Sequence, residues 1–149
     1  MNPYLKLRPW TDIESCTCAE VTGLVLFDCL SENPIHCATC KNEVDPERLE
    51  LSVEEVEAVA RWHSVNRSLH ALWLDSAEYE AWSKARLLDL SGQVNQSGMN
   101  VARMLSAHLP TCIWLFRDSK DDFDKGEVVV DCPICGKSLE KNVKYGFGK

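Results

Sequence analysis

The sequence has no long apolar run and no secretory leader. No hydrophobic segment approaches the roughly 20 residues that a membrane-spanning helix requires. The first residues, from Met1 to Trp10, lack the long apolar core of a signal peptide. We therefore expect a cytoplasmic protein that works in a reducing compartment and has no membrane partner.

The motifs of common catalytic sites are also missing. The sequence contains neither the His-Glu-x-x-His of zinc proteases nor the His-x-Glu that begins the zinc deaminase signature. It has no Gly-x-Ser-x-Gly, no phosphate-binding loop and no dinucleotide-binding fingerprint. His63 and His70 are seven residues apart in a helical region, but without a third ligand they are expected to be ordinary polar positions. These absences favour a protein that is not an enzyme.

Cysteine, by contrast, is abundant. The 149 residues include eight cysteines, and in a reducing compartment closely spaced pairs indicate bound metal more often than disulfides. Cys29 and Cys112 lie in apolar runs and are predicted to be buried core residues. The other six form three close pairs and are the candidate zinc ligands: Cys16/Cys18, Cys37/Cys40 and Cys132/Cys135.

The pair Cys132/Cys135 has the most regular pattern. A predicted strand runs into Cys-Pro-Ile-Cys-Gly and a second strand follows, which is typical of a zinc knuckle. In such a knuckle the tight turn directs both sulfurs to one side and aims backbone N–H groups at them. Gly136 suits the positive φ angle that this turn tends to require.

The pair Cys37/Cys40 predicts a second knuckle, in which Asn42 is able to take an unusual backbone angle. Cys16 and Cys18 form a tighter Cys-x-Cys chelate, and 18 residues separate Cys18 from Cys37. This separation falls within the roughly 15–20 residues usual in zinc ribbons.

A structural zinc site needs four ligands, and three pairs do not make two full sites. In one arrangement Cys16, Cys18, Cys37 and Cys40 close a local site. In the other, Cys37 and Cys40 join Cys132 and Cys135 across the helical region, which loop-closure entropy does not forbid. The spacing leaves both arrangements open. His36 could replace a sulfur, but we expect it to lie outside the ligand set.

The pattern along the chain predicts an α+β fold in one domain, residues 1–149. Residues 1–51 read as strands with a cysteine knuckle, beginning with the alternating segment 4–7 and the apolar run 21–30. Residues 52–110 read as three helices, and residues 111–149 as strands that carry the second knuckle. The short strands thus flank a three-helix middle segment.

Capping signals place the three helices. Ser52 and Glu55 form a capping box at the start of the first helix. Asp75 and Glu78 repeat the pattern and predict a second helix over residues 76–89. Ser97 is expected to cap a third helix that runs to Leu109, before Pro110.

Several of these segments together resemble a known family. In order and spacing they are the Cys37/Cys40 pair, the helix from Trp62 to Trp73, Ser97-Gly98 at the start of the next helix, the strand from Ile113 to Arg117, and Cys132-Pro133-Ile134-Cys135-Gly136. From Cys37 to Lys149 the chain resembles a bacterial family of uncharacterised proteins described as zinc-ribbon-containing, with a suggested role in nucleic-acid binding. In that family a segment like Tyr145-Gly146-Phe147-Gly148-Lys149 leads into a further Cys-x-x-Cys, which this sequence does not include.

The charge favours a protein partner that is basic. The net charge is −7, which is unsuited to phosphate backbones and complementary to a basic protein surface. Residues 118–127 form an acidic stretch that adds to this charge. We therefore expect a zinc-stabilised protein-interaction module, and an immunity protein that neutralises a toxin has this profile.

The alternative partner is a nucleic acid. The C-terminal hairpin is locally basic, with a net charge of +3 from four lysines and one glutamate, and Tyr145 and Phe147 could stack on bases. Arginines in the helical region could add a basic face, although arginine is common on helix surfaces. The residues concerned are Lys137, Lys141, Lys144, Lys149 and Glu140 in the hairpin, and Arg61, Arg67, Arg86 and Arg103 in the helices.

Overall fold

The structure is a computed structural model, and it describes residues 2–7, 15–28 and 31–118. The chain divides into two compact units, Met1–Leu115 and Phe116–Lys149. The fold described below is that of the first unit. The predicted strand at 127–130, the hairpin at 138–147 and the Cys132/Cys135 knuckle lie outside the described residues, and the expectation of one domain stays a prediction.

Helix α1, Val53–Asp75, begins where the capping box predicts. The Ser52 hydroxyl accepts from the backbone N–H of Glu55, and the Glu55 carboxylate accepts from the N–H of Ser52, at 3.2 and 2.8 Å. Two otherwise unpaired donors are thereby satisfied, which fixes the start of the helix. The side chains of Val56 and Val59 are fully buried on its inner face.

The second predicted helix starts later than expected. Asp75 is the last residue of α1, and helix α2 is Glu80–Leu88. Between them Ala77 adopts a φ of 54°, and the Ser76 hydroxyl accepts from the N–H of Tyr79 at 3.0 Å. The prediction of a start at residue 76 is wrong because α1 extends through Asp75 and a short connection separates it from α2, whose N-cap is Tyr79.

The third helix starts earlier than expected. Helix α3 is Gln93–Leu105 with Gly92 at its N-cap, so the predicted cap Ser97 lies inside the helix. The Asn95 side chain donates to the carbonyl oxygens of Leu87 and Asp89, both at 2.9 Å. It thereby satisfies carbonyl groups at the C-terminal end of α2. Asn95 makes these bonds from the first turn of α3, so the helix has already begun before the predicted cap at Ser97.

A small sheet packs with the helices. Its strands are β1 Leu24–Leu26, β2 Ile35–Cys37 and β3 Thr111–Ile113, in the order β2-β1-β3. β1 pairs antiparallel with β2 and parallel with β3. β1 and β2 are buried along their whole length. The predicted α+β class is confirmed.

The N-terminal segment differs from its prediction. Residues 4–7 alternate like a strand, but Pro3–Leu7 is a 3₁₀ helix. Tyr4 donates its hydroxyl to the carbonyl oxygen of Leu51 at 2.8 Å, and Leu7 is fully buried. The turn of helix places the Tyr4 hydroxyl on the segment just before α1 and the Leu7 side chain in the core. In the part of the chain that the structure describes, no helix is both long and apolar enough to cross a membrane.

Candidate metal centre

Four cysteine sulfurs meet beside the sheet. One sulfur from each of Cys16, Cys18, Cys37 and Cys40 lies within 4.8 Å of the other three. In a tetrahedral site with Zn–S bonds of about 2.3 Å, neighbouring sulfurs are about 3.8 Å apart. The four thiols are therefore spaced for a single tetrahedral metal ion, and a thiolate set of this kind suits zinc.

The Cys37/Cys40 pair sits on a tight turn that leaves β2. The N–H of Lys41 donates to the carbonyl oxygen of Cys37 at 3.0 Å, and the N–H of Cys37 donates to the carbonyl oxygen of Asn42 at 2.9 Å. Lys41 has a φ of 69°, so the left-handed residue of the turn is Lys41 rather than Asn42. The strained angle falls directly after the second cysteine, the position that Gly136 holds in the predicted C-terminal knuckle.

Backbone N–H groups of this turn donate hydrogen bonds to the sulfurs of Cys37 and Cys40. Burial by itself raises the pKa of Cys37, but hydrogen bonds from the N–H groups of Cys40 and Thr39 bring that pKa down to about 7. The N–H of Asn42 similarly hydrogen-bonds the sulfur of Cys40. Backbone donors aimed at thiolates prepare the turn for a cationic ligand.

The thiols of Cys18 and Cys40 resist ionisation beside the neighbouring sulfurs. Burial raises the pKa of Cys40 to about 12, and hydrogen bonds with the other three sulfurs add to the rise. For Cys18 a hydrogen bond with Cys40 lowers the pKa, but those with Cys16 and Cys37, together with burial, leave it raised. Four thiolates this close repel one another, and a bound dication removes that repulsion. The donor set therefore fits a metal ion better than four free thiols.

The Cys16/Cys18 segment has no regular secondary structure and is held by contacts from elsewhere in the chain. The N–H of Cys16 donates to the carbonyl oxygen of Glu43 at 2.7 Å, next to the bridge between Ser15 and Glu43. The Arg48 guanidinium donates to the carbonyl oxygens of Cys16 and Cys18 at 2.9 and 2.6 Å. Arg48 itself lies in the 3₁₀ helix Pro46–Leu49. These contacts bring the Cys-x-Cys pair to the knuckle.

His36 lies next to this cluster but is not one of its ligands. Its side chain is buried, and Nδ1 is 2.9 Å from the carbonyl oxygen of Lys41. Because a carbonyl oxygen only accepts, Nδ1 carries the proton and supports the strained residue of the turn. Burial lowers the pKa of His36, so the imidazole is neutral near pH 7.

The other predicted cysteine positions divide into two groups. Cys29, Cys132 and Cys135 lie outside the described residues. The prediction that Cys112 is buried is wrong, because the middle residue of β3 is exposed. Side chains alternate along a strand, so an apolar run does not require every residue to face the core.

A buried polar cluster is not evident from the sequence. His63 is buried, although the sequence predicts an ordinary polar position, and its Nε2 is 3.4 Å from a carboxylate oxygen of Asp28. The side-chain amide of Asn66 donates to the other oxygen of Asp28 at 2.9 Å. The spacing of His63 and Asn66 could have indicated a shared helix face, but Asp28 is 35 residues away from His63 in sequence.

The four-sulfur cluster is the strongest candidate site in the described part of the chain, and it can bind a metal ion such as zinc. Comparison with protein-family models, with curated proteins and with solved structures found no match to this chain.

Proposed function

We propose that this protein is a non-enzymatic binding module whose fold depends on a structural zinc ion held by Cys16, Cys18, Cys37 and Cys40. The convergence of the four sulfurs carries the proposal. Four cysteine ligands fill all the positions of tetrahedral zinc, whereas catalytic zinc keeps one position for water or substrate. Such an ion stabilises the fold and leaves recognition to the surrounding surface.

The zinc ion would add a direct link between two segments that backbone contacts and Arg48 already bring together. The ligand pairs come from the irregular segment before β1 and from the turn after β2. Between them lie β1, β2 and the connection that joins the two strands. Cross-linking the two ends of this region in the folded state makes metal-binding free energy part of folding free energy.

The partner that we propose is a basic protein. The chain carries a net charge of −7, and its acidic side chains include several on the described surface. Glu20 and Glu50 line one groove with Arg48 and His108, and Glu54 is exposed at the start of α1. Charge complementarity of this kind accelerates encounter with a basic surface and selects against acidic partners. An immunity or inhibitor role toward a basic protein is the finer form of this proposal.

The test compares the zinc-loaded chain with a charge-reversed variant. Glu20→Lys, Glu50→Lys and Glu54→Lys are combined, and proteins retained from the native lysate on each immobilised chain are identified at low and high salt. The proposal predicts a stoichiometric basic protein that is retained by the unmodified chain at low salt and lost from the variant. Retention that is indifferent to charge reversal and to salt contradicts it.

A gel-shift measurement separates the nucleic-acid alternative, which depends on the C-terminal hairpin outside the described residues. A salt-sensitive shift of single-stranded RNA or DNA, weakened by Lys141→Glu and Lys144→Glu, would replace the basic-protein proposal with the nucleic-acid role that the family resemblance implies. No shift at low salt is the result that our proposal predicts.

A further inference from the structure

The three helices of the first unit enclose an apolar pocket that is separate from the cysteine cluster. Its volume is about 350 Å³, near the lower end of the range for ligand sites. Its apolar wall is formed by one face of α1, one face of α2 and the start of α3. The residues of that wall are Trp62, Val65, Leu69, Trp82 and Val94.

The wall is open to solvent on one side. The side chains of Val65 and Trp82 are about half exposed, at 51% and 49%, whereas Trp62 at the base is buried. A bound apolar group would cover the exposed apolar surface of these two side chains. The pocket therefore has a buried base and one open side. A polypeptide whose end is bound at the base could extend through this open side into solvent.

Two arginines give this pocket a positive charge within an acidic protein. Arg61 and Arg86 both line it, and within the described residues neither guanidinium forms a salt bridge. Arg86 lies over the ring of Trp82, 4.9 Å from its centroid. The other two helical arginines differ, because Arg67 pairs with Glu32 at 2.8 Å and Arg103 donates to Asn100 at 2.7 Å.

The start of α3 adds backbone donors on the same side. Gly92 and Gln93 line the pocket, and the N-cap residue Gly92 makes no side-chain cap to the first turn. No acidic residue lies in that turn. Asp89, which precedes it, accepts from the N–H and hydroxyl of Ser91 at 3.1 and 2.8 Å. The helix dipole favours an anion at this end of the pocket. The Asp89 carboxylate already lies beside Gly92, so a bound anion would be held mainly by the two arginines.

We propose that this pocket binds the carboxyl terminus of a partner polypeptide whose last residue has a bulky apolar side chain. The apolar side chain fills the space between Trp62, Trp82 and Leu69, and the terminal carboxylate is bound by the guanidinium groups of Arg61 and Arg86. Arginine binds carboxylates through paired hydrogen bonds, and capture of a terminal carboxylate by backbone N–H groups is an established recognition mode. The open side leaves room for the preceding residues of the partner.

A nucleotide fits this pocket less well than a peptide end. Among the described residues, the polar side chains that line it besides the two arginines are those of Gln93 and Ser97. A base and a ribose need several hydrogen-bond partners, and a largely apolar wall would leave their polar groups unsatisfied. The inference depends neither on the metal centre nor on a basic partner.

The test uses the zinc-loaded full chain and a panel of hexapeptides that end in Leu, Ile, Phe or Trp with a free carboxylate. Each peptide has two controls, the same sequence with a C-terminal amide and one ending in Gly. Binding is followed by the indole N–H signals of Trp62 and Trp82 in nuclear magnetic resonance. We expect at least one free-acid peptide to shift these signals, and its amide and Gly controls to bind at least about tenfold more weakly.

Matched arginine substitutions locate the site. Arg61→Gln and Arg86→Gln should each weaken the free-acid peptide by about tenfold, whereas Arg103→Gln on α3 should leave its affinity unchanged. Thermal unfolding and zinc content of each variant show whether the fold and the metal centre remain intact, which separates this inference from the proposed function.

Four results would overturn the inference. They are the absence of a shift with every free-acid peptide, equal binding of acids and amides, tighter binding of adenosine monophosphate than of any peptide, and self-association of the chain through Trp82 in sedimentation measurements. In the last case a second copy of the chain would be the occupant.

Discussion

Arg48 holds Cys18 from a position 30 residues further along the chain: its Nη2 donates to the Cys18 carbonyl oxygen at 2.6 Å, while Nη1 donates to that of Cys16. One planar guanidinium thus spans both cysteines of the Cys-x-Cys pair. A lysine could not make the same contact, since it lacks the rigid fork of donors. Arg48 thereby fixes the position of two ligands without being a ligand itself.

We predict that Arg48→Lys weakens zinc binding about tenfold, which is the lower end of the effect expected when a group that orients metal ligands is lost. Competition with a chromophoric chelator measures this affinity. Arg103→Lys is the matched control, because the hydrogen bond of Arg103 within the described residues is to Asn100 on its own helix. An unchanged affinity in Arg48→Lys would show that the Cys-x-Cys segment is positioned without the guanidinium.

Lys41 has a left-handed backbone angle, and glycine adopts this angle without steric cost. We predict that Lys41→Gly stabilises the zinc-loaded protein by about 0.5–1 kcal/mol, reduced by loss of the contact between the Lys41 ammonium and the carbonyl oxygen of Ala38. Thr39→Gly in the same turn is the control and should destabilise, since Thr39 has no positive φ. Urea denaturation measures both, and destabilisation by Lys41→Gly would contradict the assignment of strain to this residue.

Gly98 gives α1 and β3 room to approach α3. A methyl group at this position would be 2.6 Å from Nε1 of Trp62 and 2.8 Å from Cδ1 of Ile113. Although alanine favours helices, we predict that Gly98→Ala destabilises the fold by about 1–3 kcal/mol, because this close contact forces the packed side chains apart. Asn100→Ala, at an exposed position of the same helix, is the control for denaturation measurements. Equal stability of the two variants would argue against this packing.

We predict that the folded state becomes less stable in mildly acidic solution, because His70 is protonated more readily in the unfolded state. Burial lowers the pKa of His70 below its usual value of 6.5, while the charge of Asp28 acts in the opposite direction. The folded state therefore binds fewer protons than the unfolded state between the lowered pKa and about 6.5, and stability is lost as the pH falls through this window. Urea midpoints at about pH 7.5 and 5.5 should differ less in His70→Gln than in the unmodified chain. An equal difference in both proteins would exclude His70 as a source of the pH dependence.

One of the three capping signals predicted a helix start correctly. Ser52 and Glu55 are three residues apart, so the capping box contains both partners and the start of α1 follows from it. The signals at Asp75 and Ser97 were of the same kind but failed. Asp75 is instead the last residue of α1, and Asn95 bridges the end of α2 to α3. A three-residue capping pattern reveals neither the length of α1 nor the bridge made by Asn95.

The sequence predicted which cysteines could bind a metal ion, but not which cysteine pairs share one site. Spacing identified the cysteine pairs, yet it allowed Cys37 and Cys40 to join either the upstream or the downstream pair. The hydrogen bond from Cys16 to Glu43 and the contacts of Arg48 bring the upstream pair into the cluster. Neither contact has a recognisable sequence motif. No sequence motif marks Arg61 and Arg86 as pocket residues either. Only the packing of the helices shows that they line the pocket and that Arg67 and Arg103 have other partners.

Elemental analysis of the purified full chain tests the central claim most directly. We expect the unmodified chain to contain zinc, and we expect Cys37→Ser to lose one equivalent together with several kcal/mol of stability, as does exposure to a strong chelator. Cys132→Ser should retain this equivalent, because the site closes through Cys16, Cys18 and Cys40. A chain that contains no transition metal, or that keeps all of its zinc and its melting temperature after Cys37→Ser, would contradict the account.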